Sequence, residues 1–385
     1  MKDTIQIVGA GIGGLTTAHT LQQKGFNVEV FEAAPEIKHV GAGIVMANNA
    51  MQIFKKLDIH QQIEAAGNII YTMKITDEQL QPISMVDLSE FAHKYNVQTV
   101  AIHRGDLQQI LFDVVGNSNI YLGKRLKKIE QHADCTLTFE DNSTVKSKYL
   151  IGADGIKSIV REQLFENSTI RNANQICWRG ICDCELPEKY QAVAIEAWGS
   201  GKRFGFVHIG KQKVYWYALI NLKNKNIEDI QLTDIFRDFH NDVLKIIEAT
   251  SQSQIIVNEM TDLKPIFKWQ KKNVGLIGDA AHATTPNLGQ GACQAIEDAY
   301  AFGKLLDAGF SIDETFKHYE KIRLNKAHFI VNTSWRIGKM AHLENKFTIS
   351  LRNAMMRNFP KSANKKQFNK IMDISYLDDL IKQLR

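Results

Sequence analysis

The chain has 385 residues, 44% of them hydrophobic and 23% charged, with a net charge of +5. This is ordinary soluble globular composition, long enough for two intimately joined domains, and the mild positive charge can attract an anionic ligand but is no nucleic-acid footprint. No apolar run approaches the ~20 residues of a membrane helix. A strand begins within the first few residues and leaves no room for a signal peptide, and the five cysteines (135, 177, 182, 184, 293) show neither a CxxC pair nor zinc-site spacing. The expectation is a cytoplasmic chain without a metal site or membrane association.

Thr4–Val8 alternates and is β-branched, which predicts a buried strand. Gly9-Ala10-Gly11-Ile12-Gly13-Gly14 follows. Gly9 makes the tight turn, Gly11 lets the backbone approach a pyrophosphate, and Gly14 lets the next helix pack closely on the strand. That helix is predicted over 12–24, with Leu15, Ala18 and Leu21 on one face, free N–H groups at its start that favour a phosphate, and Gly25 as its stop. Asn27–Phe31 is the second strand. Glu32, next to Ala33, ends it with a carboxylate placed to accept hydrogen bonds from adenosine ribose hydroxyls. This motif does not separate FAD from NAD.

Tyr149–Gly152 reads as a strand entering a turn at Ala153-Asp154-Gly155, and Ser158–Leu164, which includes Arg161, as a short helix. Asp154 is a candidate cofactor residue or equally a helix cap or Asx-turn. Residues 69–101 and 174–265 instead contain alternating strands, Val193–Trp198, Arg203–Ile209 and Val214–Leu222, the last two joined at Gly210-Lys211 as a hairpin. Period-2 alternation puts Arg203, Gly205 and Val207 on one face and Phe204 and Phe206 on the other. Tyr215 and Tyr217 share a face opposite Trp216. Arg203 with Tyr215 and Tyr217 would hold an anionic or enolic ring; ordinary cross-strand packing with a surface arginine is the alternative. Trp178-Arg179-Gly180 is a second candidate.

Asn273–Ile277 is a further strand, followed by Gly278-Asp279-Ala280-Ala281-His282, Pro286 and Gly289-Gln290-Gly291-Ala292. Ligands of open α/β sheets bind at this carboxyl end, although Asp279 also reads as an N-cap. Residues 291–306 look helical, and a helix N-terminus stabilises negative charge. From about Ser311 the chain is mostly helical. Phe368, Ile371, Ile374, Leu377, Ile381 and Leu384 recur at spacings of three and four, opposite lysines such as Lys365, Lys366 and Lys370. A helix docked across the two domains is favoured over a membrane-surface helix.

The three glycine–aspartate motifs, in this order over about residues 5–335, resemble the FAD-dependent aromatic hydroxylase family, the p-hydroxybenzoate hydroxylase-like class A flavoprotein monooxygenases. The resemblance implies an α/β fold: a discontinuous Rossmann-like FAD-binding domain of the GR2 type (1–68, 102–173 and 266–330), interleaved with a mixed or antiparallel-sheet substrate domain (69–101 and 174–265), and a C-terminal helical segment (331–385). It implies that Asp279 bonds the ribityl chain and that Pro286 and the Gly289–Ala292 turn lie against the isoalloxazine. Gly291 and Ala292 would then offer N–H groups to the pyrimidine oxygens. Arg104 would touch the FAD phosphate and ribityl region, Gly41-Ala42-Gly43-Ile44 would line the ring, and Asp154 would act near the pyrophosphate indirectly. The family has a proline where Asn48 stands.

The chemistry so implied is reduction of non-covalently bound FAD by transient NAD(P)H, then hydroxylation of a small aromatic, heteroaromatic or enolic substrate with O₂ through a flavin hydroperoxide. The flavin carries that chemistry, and no catalytic side chain is named. A monomer or homodimer is expected. An epoxidase or a prenyl-lipid reductase would share the scaffold, and a non-catalytic flavin-binding sensor is the reading from another class. The Trp-x-Trp-x-Ile-Pro segment of a flavin halogenase is missing.

Overall fold

The computed structural model describes residues 3–37, 42–165, 168–210, 212–222 and 231–385. Gly41 of the ring-lining loop and Lys211 of the hairpin turn lie outside them. The central sheet has six strands in the order Gln270–Lys271, Val274–Leu276, Tyr149–Gly152, Thr4–Val8, Asn27–Phe31 and Ile120–Tyr121, parallel except for the first pair. Ile5, Ile7, Leu150, Ile151, Val274 and Leu276 are buried, as expected of parallel strands covered on both faces. Register decides what this sheet presents. Val8 pairs with Gly152, and Gly152 with Leu276, so three strands far apart in sequence end level. Their extensions stay bonded: Ala153 N–H donates to the Val8 carbonyl (2.8 Å) and Ile277 N–H to the Gly152 carbonyl (3.0 Å). All three glycine-bearing turns therefore leave the sheet side by side.

A second sheet has seven strands, in the order Ile256–Leu263, Ile170–Asp183, Lys213–Asn221, Lys202–His208, Val193–Trp198, Thr72–Thr76 and Pro82–Asp87. The hairpin sits one residue earlier than predicted, with Gly210 at φ +88° in its turn. Its register pairs Gly205 with Tyr217 and Phe206 with Trp216, so the two faces separate as the alternation requires. Phe204, Phe206 and Trp216 go to one side, into a separate core under the Asn241–Glu248 helix, where Phe204 stacks on Trp216 at 5.4 Å. Arg203, Tyr215 and Tyr217 go to the other.

Residues 69–101 divide between two sheets. Thr72–Thr76 and Pro82–Asp87 edge the seven-stranded sheet, whereas Thr99–His103 pairs with Gly43–Met46 and Asn68–Ile70 in a small antiparallel sheet. The C-terminal apolar repeat is not one helix. It forms Lys361–Met372 and Tyr376–Leu384, broken where the Asp373 carboxylate accepts the Ser375 N–H (2.9 Å). Ile371, Ile374, Leu377 and Ile381 are buried in the larger core, and the two helices lie against the helices Asn48–Lys56, Gly291–Asp307 and Ile312–Ala341. If they belong to the same cooperative unit, Leu377→Ala costs about 2–5 kcal/mol and lowers the calorimetric midpoint of the whole protein. An unchanged midpoint would make them an appendage.

Candidate active site

Glycine is required at the level ends of the central strands for two different reasons. At Gly9 (φ +105°) a Cβ would stand 2.4 Å from the Ala153 carbonyl oxygen, and at Gly14 it would stand 2.0 Å from the Gly9 oxygen. These are packing glycines, at which any side chain separates the first motif from its own helix or from the second motif. Gly13 and Gly278 both pack on Ala295, with ideal Cβ positions 2.9 and 3.0 Å from its methyl group, so the helix Gly291–Asp307 rests on the first and third motifs together. Gly11, Gly155 and Gly289 differ, because a Cβ there would meet nothing within 4 Å. The helices Ile12–Gln23 and Gly291–Asp307 start beside this open space without a side-chain cap, leaving their first N–H groups, including those of Gly291 and Ala292, available to an anionic or carbonyl ligand. The Glu32 carboxylate is held at the rim by the N–H groups of Ala10 (2.7 Å) and Ala34 (2.8 Å), with Ala33 half-buried between. Gln108, not singled out from the sequence, donates to the Ala10 carbonyl (2.8 Å). Open space, unpaired donors and an oriented carboxylate fit an extended dinucleotide.

Asp154 accepts the Val160 N–H (3.1 Å) and so holds the first turn of the Ile159–Leu164 helix, whose N-cap is Ser158. Its other oxygen is buried without a partner, and burial pushes its pKa up. The fully buried Arg161 donates to the carbonyls of Ile156 (2.5 Å) and Ala280 (2.9 Å) and ties the second motif to the third. Asp279 is not the N-cap of its short helix; Gly278 is. The Asp279 carboxylate lies 3.9 Å from the place of a Gly291 Cβ. It is open to solvent through the cleft, yet the surrounding protein raises its pKa, against the opposing charges of His282 and Arg104.

A buried ionic lattice stands behind this turn. Asp298 accepts from the Gly278 N–H (2.8 Å), His282 (2.6 Å) and Arg323 (2.8 Å). Glu297 takes Arg323 (2.9 Å), Lys326 (3.0 Å) and Asn49 (2.6 Å). Burial works against the Asp298 charge, but His282 and Arg323 hold its pKa below the ordinary value. Asn49 also reaches Gln290 (3.0 Å), which places the turn before Gly291. Asn48 occupies the first helical position, where proline is also tolerated, so the departure from the family pattern leaves the local helix intact.

The seven-stranded sheet forms the opposite wall. Tyr215 lies on Gly43, whose Cβ would be 2.4 Å from its ring. Gly43 and Ile44 belong to the same short strand. Arg104 begins the Arg104–Val115 helix, which His103 caps, and its charge acts on both Tyr215 and Asp279. The glycine turns and the sheet face therefore border one cleft.

Arg203 is not a surface residue. It is 1% exposed and donates to Glu196 (3.0 Å) and to the Asn287 side-chain oxygen. Glu196 also accepts from Tyr217 (2.5 Å) and the Trp198 indole (2.7 Å). Asn287 follows Pro286 in the turn Pro286–Leu288, before Gly289 at φ +61°. Glu196, Trp198 and Asn287 were not predicted. The available signal was Glu196, a lone charge in an apolar strand, in register with Gly205. Of Trp178-Arg179-Gly180 only Arg179 faces the cleft: Trp178 joins the separate core, and a Cβ at Gly180 would lie 2.8 Å from Trp216. Burial works against the Arg179 charge, but Cys177 and Tyr215 beside it keep its pKa high. Burial raises the pKa of Tyr215 and takes that of Tyr217 well above the ordinary value.

The family described as FAD binding domain matches residues 2–334. The chain is 34% identical over 359 residues to the aurachin C monooxygenase/isomerase of Stigmatella aurantiaca, covering 92% of this chain and 94% of that one. It is 30% identical over 377 residues to the 2-heptyl-3-hydroxy-4(1H)-quinolone synthase of Pseudomonas aeruginosa, covering 94% and 96%. The crystal structure of Klebsiella pneumoniae HpxO complexed with FAD and uric acid superposes with a TM-score of 0.86 at 25% identity, covering 99% and 96%.

The two kinds of glycine separate by experiment. Gly11→Val is expected to weaken FAD retention about tenfold or more, ~1.4 kcal/mol, with the apoprotein's thermal midpoint unchanged, whereas Gly14→Ala lowers that midpoint itself. Equal effects would remove the distinction. A second outcome concerns His342, whose pKa burial, with Arg203 and Arg352 nearby, lowers from 6.5 to about 2. It folds neutral, so the unfolded chain binds more protons below pH 6.5. Stability therefore falls as pH drops below that value, by up to about 1.4 kcal/mol per pH unit. Denaturant titrations between pH 7 and pH 5 should show this slope in the wild type and a shallower one in His342→Gln.

Proposed function

The chain belongs to the FAD-dependent aromatic hydroxylase family and is a flavoprotein monooxygenase, and we propose that it hydroxylates a planar, oxo-bearing heteroaromatic ring of the 4-quinolone type. Bound FAD supplies the passage of electrons from NAD(P)H to O₂ and the transfer of oxygen to substrate. The residues of this chain hold and orient. In this reading the Gly9–Gly14 turn and the first N–H groups of its helix take the pyrophosphate, and Glu32 takes the ribose. Asp279 and Arg104 flank the ribityl chain, and Asp154 acts indirectly by fixing the second turn. The N–H groups of Gly291 and Ala292 favour negative charge on the ring they face.

One observation carries the substrate reading: Tyr215 rests on Gly43 within the charge field of Arg104 and beside Arg179. The two tyrosines supply flat apolar surface, with ring centroids 6.1 Å apart. The phenols are protonated at neutral pH, and burial raises their pKa values further. Arg203 is matched by Glu196 and adds no net charge to the wall. Arg179 has no carboxylate partner among the described residues and can donate to a ring carbonyl or enolate oxygen. An enolic or oxo-bearing heteroaromatic fits this wall, with flat tyrosine surface for the ring and one unmatched guanidinium for its oxygen. Two relatives matched over more than nine-tenths of their length, the aurachin C monooxygenase/isomerase and the 2-heptyl-3-hydroxy-4(1H)-quinolone synthase, support the same class.

Oxygen uptake by the purified protein with NADPH, then NADH, tests this across 2-alkyl-4-quinolones, urate and hydroxybenzoates. The expected result is uptake stimulated by a quinolone, with a product carrying one added oxygen atom. Stimulation by urate or a benzoate alone would overturn the class, and a reduced double bond without oxygen uptake would indicate a reductase. Arg179→Met is expected to raise KM by at least about tenfold, consistent with loss of a hydrogen bond to a charged donor worth ~1.5–3 kcal/mol, with flavin content unchanged.

A further inference from the structure

The helix Lys346–Arg357 turns an apolar face outward. It is seated by Arg352, which is buried, donates to the carbonyls of Met340 (3.1 Å) and Ala341 (3.3 Å), and lies over the Trp198 ring at 5.0 Å. Ile349 and Met356, three before and four after Arg352, are half-buried on the same side. On the opposite side Phe347, Leu351 and Met355 recur every four residues and are 76%, 52% and 65% exposed, and Phe359, just past the helix end, is 52% exposed. A surface helix of a globular protein ordinarily turns its apolar stripe to the core and its polar face to water. This stripe is the reverse.

The charge of the segment itself is one-sided. From Asn345 to Met372 the sequence holds seven basic residues (Lys346, Arg352, Arg357, Lys361, Lys365, Lys366 and Lys370) and no acidic one. Some are engaged: Lys365 pairs with Glu90 (2.5 Å), Arg357 lies 3.7 Å from Asp77, and Lys370 sits over the Phe329 ring. Lys346 and Lys366 have no acidic partner among the described residues. Exposed aromatic and aliphatic side chains within a segment of basic residues have the composition of a helix lying in the plane of a bilayer interface, where each basic residue near an anionic surface adds to the attraction.

We propose that the Lys346–Phe359 face docks on an anionic lipid bilayer, with Phe347, Leu351, Met355 and Phe359 entering the headgroup–acyl boundary and the surrounding lysines meeting lipid phosphates. The charge argues against a second copy as the occupant, because a symmetric contact would bring the cationic segment against itself. No described helix is long and apolar enough to cross a membrane, so the contact is with one surface. The inner side of the helix reaches the cleft wall: Arg352 covers Trp198, and Trp198 donates to Glu196, which holds Arg203 and Tyr217. Docking would thus set the cleft beside the lipid. The proposal stands whichever ring the enzyme hydroxylates.

The test is co-sedimentation of the FAD-loaded full chain with vesicles of phosphatidylcholine alone or in equal parts with phosphatidylglycerol. Binding to the anionic vesicles, weak binding to the neutral ones, and partial release by salt are expected. The triple variant Phe347→Ser, Leu351→Ser, Met355→Ser should lower the bound fraction by about tenfold or more, with flavin content and thermal midpoint unchanged. Lys346→Glu with Lys366→Glu should weaken binding to the anionic vesicles only. Failure of the wild type to bind, or undiminished binding by the triple variant, overturns the proposal. So does a wild-type dimer in analytical ultracentrifugation that the triple variant splits, since the face would then be covered by a second copy.

Discussion

At the carboxyl end of the central sheet two backbone turns meet with no room for a side chain between them, and the third is joined to them through Ala295 and Arg161. The Ala153 carbonyl stands 2.4 Å from where a side chain at residue 9 would begin, and the Gly9 carbonyl 2.0 Å from one at residue 14. Nearly every feature of the cleft follows from this closeness. Because Val8, Gly152 and Leu276 are in register, the three turns emerge level, and because Ala295 packs on both Gly13 and Gly278, the starts of two helices face the same open volume. Neither helix has a side-chain cap. Their unpaired N–H groups are tolerable only where solvent or a ligand can reach them, and that is where Gly11, Gly155 and Gly289 leave space.

So close an assembly needs a rigid backing, which the buried lattice of Glu297, Asp298, Arg323 and Lys326 provides. Burying charges is costly, and an ion pair in a core stabilises little relative to apolar packing. Its worth here is positional. Asp298 bonds the Gly278 N–H, and Glu297 bonds Asn49, which in turn sets Gln290. Tyr376 of the last helix donates to Glu297 (3.1 Å), so the C-terminal helices close the lattice from outside. Removing one charge would leave its partner buried and unpaired, at about 3–5 kcal/mol, and would loosen both turns.

The opposite wall follows a simpler rule. A two-residue period sends Phe204, Phe206 and Trp216 to a private core and Arg203, Tyr215 and Tyr217 to the cleft. Glu196 on that face gathers an arginine, a tyrosine and a tryptophan, and cancels the charge of Arg203, which leaves Arg179 as the unmatched cation of the wall among the described residues. Its indole partner Trp198 is also the platform for Arg352, so the cleft wall and the outward apolar helix are built on the same side chain.

What was legible in the sequence is what the backbone demands locally. Gly9 and Gly14 could be assigned to a tight turn and a close approach because no other residue permits either. The faces of the Arg203 and Tyr215 strands could be assigned because a strand cannot avoid alternating. Tertiary structure decided the rest, because it depends on which distant group arrives. Glu196 stands out as a lone charge in its strand, but its sequence position does not say that it and Asn287 will neutralise and bury Arg203. The spacing of Thr99–His103 does not say that it will pair with Gly43–Met46 rather than join the larger sheet. The C-terminal apolar repeat continues unbroken through Asp373, whose carboxylate ends one helix and lets the next turn inward. Phe347, Leu351 and Met355 share the helical spacing of a buried stripe. Only the side on which Arg352 finds Trp198 leaves them facing outward, because periodicity fixes which residues share a face and not what that face meets.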